Sequence, residues 1–468
     1  MIKPQPFALT ALAAALLAGC GFTPDRTPPP QELPTTVAVI PEFDALWWKQ
    51  YGSEELDTLV ESARTHNAEI QTAIARIEEA RALLGIASAE QLPRLDLGAS
   101  GSRQRASRNG PQAGLGTYED YQFAASASWE IDLWGRVRNQ REAAFEQLRA
   151  TQFERESVLL AVTASTVEAY FNLRALDAQV DVAQQTLATR EESYNLRVKR
   201  FKGGMTSELD VRQAEAELMD ARAALPALQA SQTSAQNALL ILTGSSARSV
   251  FEDTAPRGVA IDLIVPDAVT VPPGLPSDLL LRRSDIQTAE AQLRATRAQI
   301  QVARAAWFPR ITLTGLFGVQ SLEFSNLFDG PSKAWSYAGN LAMPLFDNGL
   351  TAAQVDEARA RDKQAAITYE QTVRRAFGDV RVALDSVQRS RERAAALQQQ
   401  TTALVRQVKL ARLRYDNGYS DFLEVLDAER SEFEARLNLI NAQRDALLSQ
   451  LTLIKALGGG WRAEPTAG

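Results

Sequence analysis

The spacing of hydrophobic residues changes several times along this chain. Between Leu46 and Glu90, Leu56, Leu59, Val60, Ala63, Ile70, Ile74 and Ile77 recur at threes, fours and sevens, which predicts one amphipathic helix. Trp47 and Trp48 stand just before it as packing anchors. At Pro93 the period falls to two: Leu95, Leu97 and Ala99 alternate with Arg94, Asp96 and Gly98. Arg103 to Gly116 is polar and Gly-rich, as suits a loop. Tyr121, Phe123, Ala125, Ala127, Trp129, Ile131 and Leu133 then alternate with Gln122, Ala124, Ser126, Ser128, Glu130 and Asp132, a second strand ending at Gly135. Apolar and aromatic residues on one face and small or polar residues on the other suit a tilted bilayer-crossing strand; a soluble hairpin with one wet face is the alternative.

Arg138 to Lys202 contains no Pro and no Gly. At 1.5 Å per residue it predicts one helix of roughly 95 Å, a length found in coiled coils and helical tubes. A tip follows at Gly203-Gly204, and a return helix from Ser207 to Leu242 carries Pro226, where a kink is expected. Thr243 to Ser284 is broken into short pieces by Gly244 and five prolines, and forms a seam between two half-chains.

The second half repeats the first. Ile286 to Ala306 is a helix, Pro309 answers Pro93, and Ile311, Leu313, Gly315, Phe317 and Val319 alternate with Thr312, Thr314, Leu316, Gly318 and Gln320. After a loop through Asp329, Gly330 and Pro331, a further alternating row runs from Trp335 through Tyr337, Gly339, Leu341 and Met343 to Leu345. Gly349 answers Gly135, and Leu350 to Asp416 is again nearly free of breakers. The second tip is Asn417-Gly418. In the return, Phe433, Leu437, Ile440, Leu447, Leu451 and Ile454 keep a 3.5-residue seam, the mark of supercoiled helices. Gly458-Gly459-Gly460 ends it, before a tail expected to be disordered. The repeat is direct around the tips: RFKGGMTSELDVRQAE, from Arg200, lies on RYDNGYSDFLEVLDAE, from Arg414, at a constant offset of 214.

Composition narrows the function. A net charge of −7 over 468 residues offers no basic surplus for nucleic acid. One His and one Cys leave no structural zinc site, iron–sulfur site or His-based triad, and no nucleophile–base set or phosphate loop is visible, so an enzyme, a cofactor and a metal are not expected. The single Cys follows a charged start at Lys3, an apolar run from Phe7 to Leu17 and then Ala18-Gly19. This resembles the lipobox of bacterial lipoproteins, which implies cleavage before Cys20 and its lipidation. Gly21, where an inner-membrane retention signal has Asp, points by the same rule to the outer membrane. Several acyl chains make a stable anchor, and TPDRTPPPQELP is a Pro-rich spacer.

Four amphipathic strands cannot close a barrel in lipid, because unpaired edges cost several kcal/mol per polar group. Closure needs further chains, and so do the seams of the long helices. The lipobox, the duplicated hairpins, Asp132-Leu133-Trp134-Gly135, Leu281 to Ile286 before Ala289-Glu290, Leu423 to Arg430 and Ala456 to Trp461 together resemble the outer-membrane factors, or TolC-like channels. The resemblance is greatest to their lipoprotein branch in RND-type drug-efflux systems. Ser284 stands where that family usually has Pro, which bears on the local helix start.

The resemblance implies a mixed membrane α+β fold. Three chains form a 12-stranded transmembrane β-barrel continuous with a 12-helix periplasmic α-barrel, each protomer carrying an internal repeat. The boundaries are a signal peptide over 1–19, the lipidated N-terminus and spacer over 20–42, first-repeat helices over 43–92, a first β-hairpin over 93–135, a first long helical hairpin over 136–243, an equatorial seam over 244–284, a second-repeat helix over 285–308, a second β-hairpin over 309–349, a second long helical hairpin over 350–457 and a tail over 458–468. The partners implied are two further copies, outer-membrane lipid, a periplasmic adaptor and an inner-membrane RND-type pump. The duct is passive and carries drugs, detergents, dyes or other small toxic compounds.

The same resemblance assigns a periplasmic gate to Leu423, Asp427 and Arg430, with Tyr415 as a nearby tether. The three share one helix face by their spacing. Under threefold symmetry Leu423 forms an apolar plug, Asp427 a carboxylate ring that favours cations, and Arg430 a bridge to a neighbouring chain. The first-repeat counterpart of Asp427 is Gln213, so the two hairpins play unequal roles. Gly203, Gly204, Met205, Gly418 and Tyr419 are the adaptor-contact tips. Spacing alone leaves other readings open: a solvated ion pair between Asp427 and Arg430, an ordinary αα turn at each tip, the exit duct of a type I protein secretion system, or a lipid-anchored coiled-coil scaffold without a pore.

Overall fold

The computed structural model describes residues 42–44, 46–107, 109, 114, 116–258, 260–261 and 283–462. The expected signal peptide, Cys20, nearly all of the spacer, most of the 244–284 seam, and Leu281 and Arg282 lie outside the described residues.

In chain order the elements are β1 (Glu42–Asp44), a 3₁₀ turn (Trp47–Tyr51), α1 (Glu54–His66), α2 (Ala68–Ala89), β2 (Arg94–Arg105), β3 (Thr117–Ile131), α3 (Arg136–Lys202), α4 (Glu208–Leu242) and α5 (Ala247–Glu252). The second half holds α6 (Ser284–Ala305), β4 (Arg310–Ser321), two 3₁₀ turns, β5 (Lys333–Ala342), α7 (Leu350–Asp416), α8 (Phe422–Ala456) and β6 (Gly460–Arg462). Two compact units are present: residues 76–152 with 288–370, and the described part of 32–75, 153–287 and 371–468.

The repeat is metrical as well as sequential. α3 and α7 each have 67 residues, and α4 and α8 each have 35. Gly135 and Gly349, Gly204 and Gly418, and Gly244 and Gly458 all take positive φ, at the same offset as the tips. At four helix ends the glycine closes a Schellman turn. Met205 N donates to Arg200 O at 2.9 Å as Tyr419 N does to Arg414 O, and Ser245 N donates to Leu240 O at 3.1 Å as Gly459 N does to Ile454 O at 3.0 Å.

In the first unit, β2, β3, β4 and β5 form one antiparallel sheet in that order. Register places Leu97 beside Ala125, Ala125 beside Phe317 and Phe317 beside Trp335. The apolar rows read from sequence therefore share a single face across all four strands. Leu95, Leu97, Phe317, Trp335, Tyr337 and Leu341 are exposed on it. The opposite face carries Ser100, Gln122, Ser126, Ser128, Thr314 and Ser336 in register. Among the described residues no strand pairs with the outer edge of β2 or of β5. Gly318 is required where β3 and β4 meet, since a Cβ there would lie 2.3 Å from Phe123 O.

The Asp132-Leu133-Trp134-Gly135 motif makes the strand-to-helix corner. Asp132 caps α3 by accepting from Val137 N and Arg138 N at 3.1 and 2.8 Å. Trp134 Nε1 donates to Pro309 O at 2.7 Å, and its ring stacks on Phe308. Asp347 does the capping for α7, accepting from Gly349 N and Thr351 N.

In the second unit, Trp48, Leu56, Val60, Tyr170, Phe171 and Leu239 centre a core with Leu451 and Ile454. Corresponding carbonyls at the ends of α4 and α8 are capped by unlike groups. Asn67 Nδ2 donates to Leu242 O at 2.9 Å, and Arg283 Nη1 to Ala456 O at 2.8 Å. Helix α6 starts at Ser284, whose hydroxyl lies 2.7 Å from that of Ser157. No helix among the described residues is long and apolar enough to cross a membrane.

Three expectations need correction. The single helix expected from Leu46 to Glu90 is a 3₁₀ turn and two helices. It breaks because Asn67 is extended at ψ 133° while its side chain caps α2, accepting from Glu69 N at 2.9 Å. The last alternating row stops at Ala342, short of Met343 and Leu345, next to Pro344, which has no N–H for a ladder. The tail is ordered at Gly460–Arg462, which pairs antiparallel with Glu42–Asp44. At Pro226, where a kink is expected, the chain remains helical on both sides.

The glycine geometry predicts unequal costs. Gly204→Ala places a Cβ in open space and bears only the left-handed backbone cost of about 1 kcal/mol. Gly244→Ala also drives a Cβ to 2.4 Å from His66 O. Thermal melting followed by helical circular dichroism should show a small shift for the first and a loss at least twice as large for the second.

Candidate functional site

The candidate site is built at the two helical turns. In the first, α3 closes on Gly204 and α4 is capped by Ser207, whose Oγ accepts from Asp210 N at 3.2 Å. In the second, α7 closes on Gly418 and α8 begins at Phe422. Gly203, Gly204, Met205, Gly418 and Tyr419 are all exposed. The same backbone turn thus presents Met205 at one tip and Tyr419 at the other.

The start of α8 is two-faced. Phe422, Val425, Leu426 and Ala428 are buried with Val408, Ala411 and Ala214, and Tyr415 packs against that cluster. Leu423, Asp427 and Arg430 lie on the exposed side. Leu423 is 61% exposed, a large apolar side chain left open in the single chain. The structure therefore places the three gate candidates on one open face, as their spacing requires.

Arg430 is not paired with Asp427. Its guanidinium donates to Glu217 of α4, which holds it above its ordinary proton affinity. Glu217 is buried and also binds Arg190 of α3: Arg190 Nη1 lies 3.0 Å from Glu217 Oε2 and 2.9 Å from Glu217 O. One carboxylate so joins both helices of the first hairpin to the return helix of the second.

Arg197 makes a second tie. It is buried, with its guanidinium 4.6 Å from the Tyr415 ring centre and 4.2 Å from that of Phe422. Its Nε and Nη1 find no hydrogen-bond acceptor among the described residues. Two aromatic faces take the charge instead, an attraction of about 2 kcal/mol when desolvated. Burial presses its proton affinity below the ordinary arginine value. Tyr415 of the second hairpin is thus in direct contact with an arginine of the first. An outer pair, Arg200 and Asp416 at 3.6 Å, spans the same two hairpins in a more exposed setting.

Glu217, Arg190 and Arg197 are absent from the candidates read from sequence. A signal for two of them exists: Ala183, Arg190 and Arg197 are seven apart and all buried, so the arginines occupy seam positions. Their second-repeat counterparts are Leu404 and Ala411, while Glu217 answers Ser431 and Arg430 answers Ala216. At these three positions the buried charge belongs to the first repeat.

The pair predicts a ranking of stabilities. Removing one partner of a buried ion pair costs about 3–5 kcal/mol, against about 0–1 for an exposed pair. Arg190 and Glu217 side chains are each 7% exposed, and Arg430 is 57% exposed. Glu217→Ala should lower the melting temperature much more than Arg430→Ala, and replacing Arg190 and Glu217 together by Leu should recover part of the loss.

Comparison with known proteins bears on this geometry. The family model described as outer membrane efflux protein matches residues 59–245 and 275–459. Outer membrane protein OprJ of Pseudomonas aeruginosa is 34% identical, over 98% of this chain and 97% of its own. Cation efflux system protein CusC of Escherichia coli is 30% identical, over 98% and 100%. The crystal structure of the Campylobacter jejuni CmeC outer membrane channel superposes with a TM-score of 0.86 at 27% identity, covering 94% of this chain and 96% of that one.

Proposed function

This chain belongs to the outer membrane efflux protein family, and from that premise we propose that it is the outer-membrane channel of a tripartite efflux system. Three copies assemble. Their sheets close edge to edge into a twelve-stranded barrel, and their long helices into a twelve-helix periplasmic tube. The observation that carries this reading is the four-stranded sheet, with one apolar exposed face and two edges that have no strand partner among the described residues. In lipid, unpaired backbone groups cost several kcal/mol each, and closure removes them. The apolar face then meets lipid and the hydroxyl and amide face lines the pore.

Cys20 carries the lipid anchor. Leu423 and Asp427 form successive rings at the periplasmic constriction: the first excludes water and the second favours cations. Arg430 holds the constriction through Glu217, and Arg197 through Tyr415 and Phe422. Both ties join the second hairpin to the first, so opening requires the second to swing away from them. The exposed tips at Gly203, Gly204, Met205, Gly418 and Tyr419 receive a periplasmic adaptor, which couples the duct to an inner-membrane pump of the RND type. Apolar patches with a polar rim suit such a contact. The cargo is small toxic compounds, and relatives named for cation efflux are consistent with an acidic ring.

Planar-bilayer recording tests this. The wild-type channel should conduct weakly. Replacing Asp427 and Arg430 together should raise conductance, and Asp427→Asn alone should lower selectivity for cations over anions. Reconstituted protein that conducts in neither form would refute the channel.

A further inference from the structure

The turn between β4 and β5 does not extend away from the sheet; it lies back upon it. Phe324 packs edge-on to Tyr121 with ring centres 5.4 Å apart, and Phe328 to Phe123 at 6.1 Å. Tyr121 and Phe123 belong to the apolar face. The loop is ordered by its own bonds: Asn326 N donates to Glu323 O, Asp329 N to Asn326 O, and Ser332 Oγ to Asn326 O. Leu327 is buried beneath it. Yet Phe324 is 66% exposed and Phe328 72%, beside exposed Leu322.

An ordered loop that buries one leucine and holds two phenylalanines outward has a face awaiting cover. The cover is continuous with that of the sheet. Phe123 pairs with Val319, and the next row inward holds Phe317 and Trp335, the latter stacked on Tyr337. Aromatic rings at the end of an apolar band are what a membrane–water interface selects. The charge beyond them fits as well. Arg103, Arg105 and Lys333 stand on the same face at the loop end of the strands, with Glu119 beside Arg103 at 3.7 Å. Long basic side chains there can keep their stems in the apolar layer and reach lipid phosphates.

We propose that the 322–332 loop is a lipid anchor, seating Phe324 and Phe328 in the acyl–headgroup boundary of the leaflet distal to the helices. This rests on the barrel reading above, and a single experiment separates the two. Spin labels are placed at Phe324→Cys and Phe328→Cys, with Leu97→Cys as a marker of the apolar face and Ser126→Cys of the polar face. The wild-type chain controls for labelling of Cys20, the sole cysteine. In phosphatidylethanolamine–phosphatidylglycerol vesicles, collision with oxygen reports lipid and collision with a nickel chelate reports water. Labels at 324, 328 and 97 should all report lipid, each with an oxygen-to-nickel ratio several-fold above that at 126. Labels at 324 and 328 in water, while 97 is in lipid, overturn the anchor and leave the barrel. Labels shielded from both reagents mean a protein covers the loop, which also overturns it. A water-exposed label at 97 overturns both readings.

Discussion

Backbone hydrogen bonding at the two outer edges of the sheet is the constraint from which the strand half of this chain is built. β2 and β5 each satisfy one side of their backbone and leave the other without a described partner. In water such edges are tolerated when short, charged or covered. Here they flank a sheet whose face bears Leu95, Leu97, Phe317, Trp335 and Leu341 in the open. In water an isolated copy has no solvent suited to that face and, among the described residues, no strand to pair with those edges. Closure with further copies answers both demands, and the proposed barrel, pore lining and lipid contacts all descend from it.

The helical half obeys a different constraint. α3 and α7 are equal in length, as are α4 and α8, so the duplicated hairpins offer near-equivalent frames. A purely symmetrical pair would give every helix the same role. The chain breaks that equivalence with buried charge. Arg190, Arg197 and Glu217 sit inside the first hairpin, and the groups they hold, Arg430, Tyr415 and Phe422, sit on the second. Buried ionic groups contribute little net stability when paired but are costly to separate. That asymmetry suits ties that hold one arrangement and release as a unit.

The sheet was legible because its signal is local. Thirteen residues of period two, with serine and alanine on one side and aromatics on the other, admit few structures. The tips were legible because Gly203-Gly204 and Asn417-Gly418 interrupt long runs without breakers. Asp132-Leu133-Trp134-Gly135 stood out as a motif, but its physical meaning needed Pro309, 175 residues from Trp134. The buried arginines were missed for a related reason. A charged residue on a helix is ordinarily solvated, and only the seven-residue spacing to Ala183, or the contrast with Leu404 and Ala411, marks them as interior. The pairing of Gly460–Arg462 with Glu42–Asp44 has three residues on each side, too few to show a period. The break at Asn67 was hidden because the apolar spacing of α1 continues into α2.

The most direct test of edge closure is the mass of the purified full-length chain in mild detergent, measured by light scattering with the detergent contribution subtracted. Three times the mass of one chain, with the strand signal intact in circular dichroism, is the predicted result. A folded species with the mass of a single chain would contradict it, because it would show the edges of β2 and β5 to be stable without partners.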